Sequence, residues 1–86
     1  MRVEYTTSAE KDISALDKKT AKRILNKIAW YASQSDPLEF AKRLNDPRKL
    51  YRFRIGEFRA IFTIRGQVIV LLVLAVKNRN EAYRHL

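Results

Sequence analysis

"YRFRIGEFRAIFTI" (Tyr51–Ile64) is the stretch from which the fold can be read. Tyr51, Phe53 and Ile55 alternate with Arg52 and Arg54, the two-residue period of a strand with one buried face. After Gly56 and Glu57 the alternation resumes, with Phe58, Ala60, Phe62 and Ile64 set against Arg59, Ile61, Thr63 and Arg65. A two-residue turn at Gly56 and Glu57 makes a tight hairpin, in which Ile55 faces Phe58 and Arg54 falls directly opposite Arg59. Like charges in that position destabilise a sheet.

Downstream, "RGQ" at 65–67 is a second turn, and Val68 to Val76 is apolar at every position. Such a run suits a central strand covered on both faces. The tail "VKNRNEAYRHL" closes the chain, with a short helical turn expected near its end.

Upstream the period changes. "MRVEY" reads as a first strand, and Thr7 with Glu10 has the spacing of a capping box opening a helix through about Leu16. Asp17 is placed to cap a second helix, in which Ala21, Ile24, Leu25, Ile28, Tyr31 and Ala32 follow the 3.6-residue period. Lys18, Lys19, Lys22, Arg23 and Lys27 fall mostly off that stripe. "DPLE" has the form of a cap, a Pro at the first helical position and a capping-box Glu, predicting a short helix from Asp36 through about Leu44. The reading is a single α+β domain over residues 1–86. An N-terminal strand and two to three helices pack on an antiparallel sheet whose main part is a three-stranded meander.

Composition narrows the function. The 86 residues suffice for one core, and the absence of cysteine excludes disulfides and thiolate metal sites and suits a reducing cytoplasm. The opening residues have no apolar stretch of signal-peptide kind, and the nine-residue apolar run is well short of the roughly 17 residues a membrane-spanning helix needs. A soluble, cytoplasmic protein without a membrane partner is expected. Net charge is +9, and its distribution is uneven. Residues 1–41 carry seven basic against six acidic side chains, and residues 42–86 eleven against three. A basic excess concentrated in one part of a small domain is the electrostatic footprint of a nucleic-acid binder.

Familiar catalytic arrangements are missing from the sequence. Both glycines, at 56 and 66, fit hairpin turns, so no phosphate loop is formed. One histidine, His85, and scattered carboxylates give neither a metal-ligand spacing nor a nucleophilic triad, so no metal or cofactor is expected. Arginine and tyrosine remain. Strands hold guanidinium groups in fixed positions, and a phosphate's oxygens accept the forked donors of more than one of them.

"LYRFRIGEFRAIFTI" together with "VKNRNEAYRHL" resembles the RelE toxins of toxin–antitoxin pairs. The likeness is close over residues 50–86 and covers the helical half in pattern. Its most specific part combines the basic-x-basic strand, the G-x-[YF]-R turn and the late R-x-x-x-Y. The resemblance implies a metal-independent endoribonuclease that cuts messenger RNA in the ribosomal A site, by attack of a 2′-hydroxyl on the adjacent phosphate. It also implies a cognate antitoxin as partner, with the toxin itself monomeric and oligomeric through that antitoxin. Arg52 and Arg54 take the places of the basic strand residues near the scissile phosphate, Arg59 that of the arginine after the turn, and Arg79 and Tyr83 those of the C-terminal segment. The family's strand residues are often lysines. Arginines at 52 and 54 leave charge stabilisation and positioning as their only roles. Tyr83 is then the matched general base, with His85 as the alternative. Lys18, Lys19, Lys22, Arg23 and Lys77 are expected to contact RNA. A ParE-type gyrase inhibitor, which shares the fold without cleaving RNA, is the competing reading.

Overall fold

A computed structural model describes residues 1–66 and 70–80. The expected strand at the start is β1, Arg2–Tyr5, followed by helices α1, Thr7–Ser14, and α2, Lys18–Ala32. The cap of α1 lies one residue earlier than the Thr7–Glu10 spacing suggested. Thr6 is extended, and its hydroxyl accepts from the Ala9 amide at 3.1 Å. Asp17 caps α2 as expected, accepting from the Thr20 amide at 3.0 Å.

The short helix expected to run to about Leu44 ends at Phe40. Asp36 caps it and Pro37 opens it, but only one 3₁₀ turn, Pro37–Phe40, forms. Ala41–Arg43 is instead a strand, β2. Its backbone pairs antiparallel with β3, Tyr51–Ile55, placing Ala41 beside Phe53, Lys42 beside Arg52 and Arg43 beside Tyr51. Pairing at a sheet edge has overridden the local helical signal, as tertiary context commonly does.

The hairpin matches the sequence reading residue for residue. Ile55 pairs with Phe58 and Arg54 with Arg59, the second strand being β4, Phe58–Arg65. Gly56 has a φ of 59°, the left-handed value that a two-residue hairpin turn requires of its first central residue. β5, Val70–Asn78, runs antiparallel to β4 and parallel to β1. The sheet is therefore mixed and five-stranded, in the order β1-β5-β4-β3-β2. The stretch 67–69 and the expected helical turn of the tail beyond Asn80 lie outside the described residues.

The register of β5 against β4 shifts once. Ile61 pairs with Ala75 and Phe62 with Val73, so Leu74 is an extra residue on β5. Because side chains alternate between faces, one extra residue exchanges the faces of everything beyond it. Val73 and Val76 both reach the main core in consequence, and Ala75 packs on the other side with Leu50 and Ile61. Lys77 is turned to that second face as well. Without the bulge it would point into the core.

Ile24, Ile28 and Ala32 of α2, with Ala9 and Ile13 of α1, meet Phe53, Ile55, Ala60 and Phe62 in that core. Phe53 and Phe62 are fully enclosed, with ring centroids 4.3 Å apart, and Tyr31 stacks on Phe53 at 4.5 Å. Past Val73, where β1 ends, side chains take over the edge of β5. The Thr6 hydroxyl donates to the Leu74 carbonyl at 3.1 Å, and the Asp12 carboxylate accepts from the Val76 amide at 2.9 Å. Among the described residues, no helix is long and apolar enough to cross a membrane.

Candidate functional site

The helices cover one face of the sheet, so strand alternation delivers every second residue of β3 and β4 to the other. Arg52, Arg54 and Arg59 stand there. Two cross-strand rows result. Arg54, Arg59 and Lys77 lie abreast on β3, β4 and β5, and Lys42 lies beside Arg52 on β2 and β3. Lys42 was not among the residues expected from sequence. It joins the site only because β2 forms, and a three-residue strand is too short to display a period.

The side chains around the turn are held in different ways. The Arg59 guanidinium folds back to donate to the carbonyls of Gly56 (3.1 Å) and Phe58 (3.0 Å). Arg79, just past β5, donates its backbone N–H to Glu57 O at 2.7 Å and brings Nε to 3.5 Å from the Glu57 carboxylate. Lys77 pairs with Asp12 at 2.9 Å, so part of its charge is already balanced. Arg54 is exposed and makes no side-chain hydrogen bond to another described residue. Arg52 is half-buried, and its Nε is enclosed with no acceptor among the described residues. An enclosed donor left unpaired costs about 1–3 kcal/mol, so the fold carries a cost at this position.

The other expected RNA contacts are not brought onto this face. Lys18, Lys19 and Lys22 are exposed on α2, whose apolar side packs on the opposite face of the sheet. Arg23 is the link between the two sets. A side chain added at Gly56 would meet its Nη2 at 3.5 Å, so Arg23 reaches the hairpin turn. Tyr83 and His85 lie outside the described residues. Among the described residues, no group of three or more metal-ligating side chains comes together.

Residues 3–83 match the family model of the ParE toxin of the type II toxin–antitoxin system parDE. The chain belongs to that family. It is a type II toxin of the RelE/ParE superfamily. No curated protein sequence matches it. Among solved structures it is similar to the archaeal RelE–RelB complex from Pyrococcus horikoshii, at 26% identity and a TM-score of 0.72, covering 94% of this chain and 97% of that one. It is also similar in fold to the RelBE2 toxin–antitoxin complex of Mycobacterium tuberculosis, at 23% identity and TM-score 0.74, covering 91% of this chain and 96% of that one. A third similar fold is the YoeB/ParE toxin of Agrobacterium tumefaciens, at 17% identity and TM-score 0.69, covering 91% and 98%.

Proposed function

We propose that this toxin is a ribosome-dependent mRNA endonuclease, neutralised by a cognate antitoxin and requiring no metal. The observation that carries the reading is the cross-strand pair Arg54 and Arg59, with Arg52 on the same face of the sheet. A sheet face that concentrates guanidinium groups on rigid strands, at a cost in stability, suits a reaction that develops negative charge on phosphorus. In that reaction the 2′-oxygen bonds to the adjacent phosphorus, its proton goes to a base, and the 5′-oxygen leaves and takes up a proton. The products are a 2′,3′-cyclic phosphate and a 5′-hydroxyl. Arg52, Arg54 and Arg59 neutralise the phosphoryl oxygens, and Arg79 exchanges its contact with Glu57 for the RNA backbone. By the family resemblance, Tyr83 is the base.

An antitoxin partner is supported by relatives of this fold whose structures are toxin–antitoxin complexes, among them those from Pyrococcus horikoshii and Methanococcus jannaschii. The matched family description, a parDE toxin, favours a second reading as a gyrase inhibitor. Purified protein added to a translation extract and, separately, to a gyrase supercoiling assay separates the two. Cleaved mRNA with unaffected supercoiling is expected, and inhibited supercoiling with intact mRNA would overturn the nuclease reading. In the translation assay, Tyr83→Phe should slow single-turnover cleavage roughly 10²- to 10⁴-fold at unchanged ribosome affinity, the usual range for loss of a general base. Cleavage by Tyr83→Phe at the wild-type rate would transfer that role to His85.

A further inference from the structure

We propose that the outer face of α2, behind the sheet, is a binding site for single-stranded RNA, with Trp30 as the platform on which a base stacks. This inference rests on the RNA-directed reading and adds a second contact surface to it. A shallow cavity of about 480 Å³ runs along this face, lined by Lys19, Lys22, Arg23, Asn26, Lys27 and Trp30. Four of the six are cations and none is acidic. Among the described residues, no carboxylate pairs with any of the four. From Lys19 to Trp30 the helix advances about 16 Å, a length that a few nucleotides of single strand can follow.

Trp30 is 48% exposed, unusual for the largest side chain in a domain whose other aromatics are mostly packed. It is nonetheless fixed in place. Phe40 lies 5.4 Å and Tyr31 5.6 Å from it by ring centroids, each steeply inclined to the indole, so the ring is braced by two neighbours while nearly half of the residue stays exposed. The Lys27 ammonium sits over the ring, 4.9 Å from its centroid, where a nucleobase would stack. Stacking on a base is the stronger of the two contacts, and the displaced ammonium is then close to the nucleotide's phosphate. An aromatic platform beside a positively charged groove is the arrangement by which single strands are held without sequence readout. Four cations around one exposed ring match a phosphate backbone with a stacked base, and an acidic protein helix is the other occupant that the experiment distinguishes.

Trp30 is the chain's only tryptophan, so its fluorescence reports on this site alone. The probe is a labelled 2′-O-methyl RNA octamer, which cannot be cleaved. Saturable quenching of Trp30 is expected, weakening as monovalent salt rises. Trp30→Ala, read by anisotropy of the label, should lose roughly 5- to 150-fold in affinity. Lys19→Ala with Lys22→Ala should keep the quenching end point and lower the salt dependence by roughly 0.7 per lysine. Octamer binding without any change in Trp30 emission would overturn the proposal, as would quenching by polyglutamate and not by RNA. Cleavage of mRNA without quenching would sink this site alone. Quenching without cleavage would sink the nuclease reading alone.

Discussion

On the helix side of the sheet, Phe53 and Phe62 stack in full enclosure; on the other side of the same two strands stand Arg52, Arg54 and Arg59. The first face is satisfied. Its core is apolar and packed, with no buried charge among the described residues. The second has like charges abreast and an enclosed donor without an acceptor among the described residues. Local rules hold on one face and are broken on the other, and a break that the rest of the fold tolerates marks where a ligand is expected. The hairpin is rigid because its apolar side is well packed, and that rigidity holds the arginines together.

The most severe way to separate the faces is through adjacent residues. Phe53→Ala should cost about 3–5 kcal/mol, a large part of a small domain's stability, and lower the melting temperature sharply. Arg54→Ala, next to it, should leave melting unchanged or raise it. Equal destabilisation of the two in thermal unfolding would erase the distinction drawn here. Arg59→Ala is the next largest effect. Loss of one preorganised donor to a developing negative charge costs roughly 10²- to 10³-fold in rate, so growth inhibition should disappear while stability holds. A lower melting temperature with toxicity kept would make Arg59 a structural residue.

Lys42 sharpens the comparison further, since it belongs to the charged face only through β2. Lys42→Ala should weaken ribosome binding modestly and reduce the slope of log affinity against log salt by roughly 0.7 to 0.9, the share of one phosphate contact. An unchanged slope would remove Lys42 from the site.

The smallest effect concerns the loop that covers Leu50 and Ile61. Arg48 donates from its side chain and backbone to Asp46, holding that carboxyl at about 2 against an ordinary 3.8. A depressed carboxyl contributes stability that is present above its unfolded value and lost as pH falls toward its folded one. Melting temperature should therefore drop between about pH 4 and pH 2, and Asp46→Asn should flatten part of that drop. Glu4, hydrogen-bonded by Arg2, and Asp17, hydrogen-bonded by Thr20, are lowered too and contribute to the same drop. An unaltered profile in Asp46→Asn would mean that the loop does not depend on this pair.

The hairpin was legible because its turn, its alternation and its glycine all demand one register. α2 was legible for the same reason, since Asp17 and the apolar stripe agree. What stayed hidden depends on distant partners. Ala41–Arg43 has no period of its own and becomes a strand only where β3 lies beside it. The extra residue at Leu74 sits in a run apolar at every position, so no change of pattern betrays it. Lys18, Lys19 and Lys22 were recognisable as an exposed basic set, but their separation from the arginines is a matter of which sheet face the helix covers. Arg52, Arg54, Arg59 and Lys77 do share one face, with Arg79 at its end.

The side chains that follow β5 past the end of β1 bear on how copies of this protein meet one another. Thr6 and Asp12 occupy backbone groups of Leu74 and Val76 that would otherwise offer a ladder to a foreign strand. At the opposite margin, β2 is three residues long and carries Lys42 and Arg43. Two molecules aligned margin to margin there would set cation against cation. Neither the stretch of β5 beyond β1 nor the short, cationic β2 therefore offers a free ladder to a strand from a second copy.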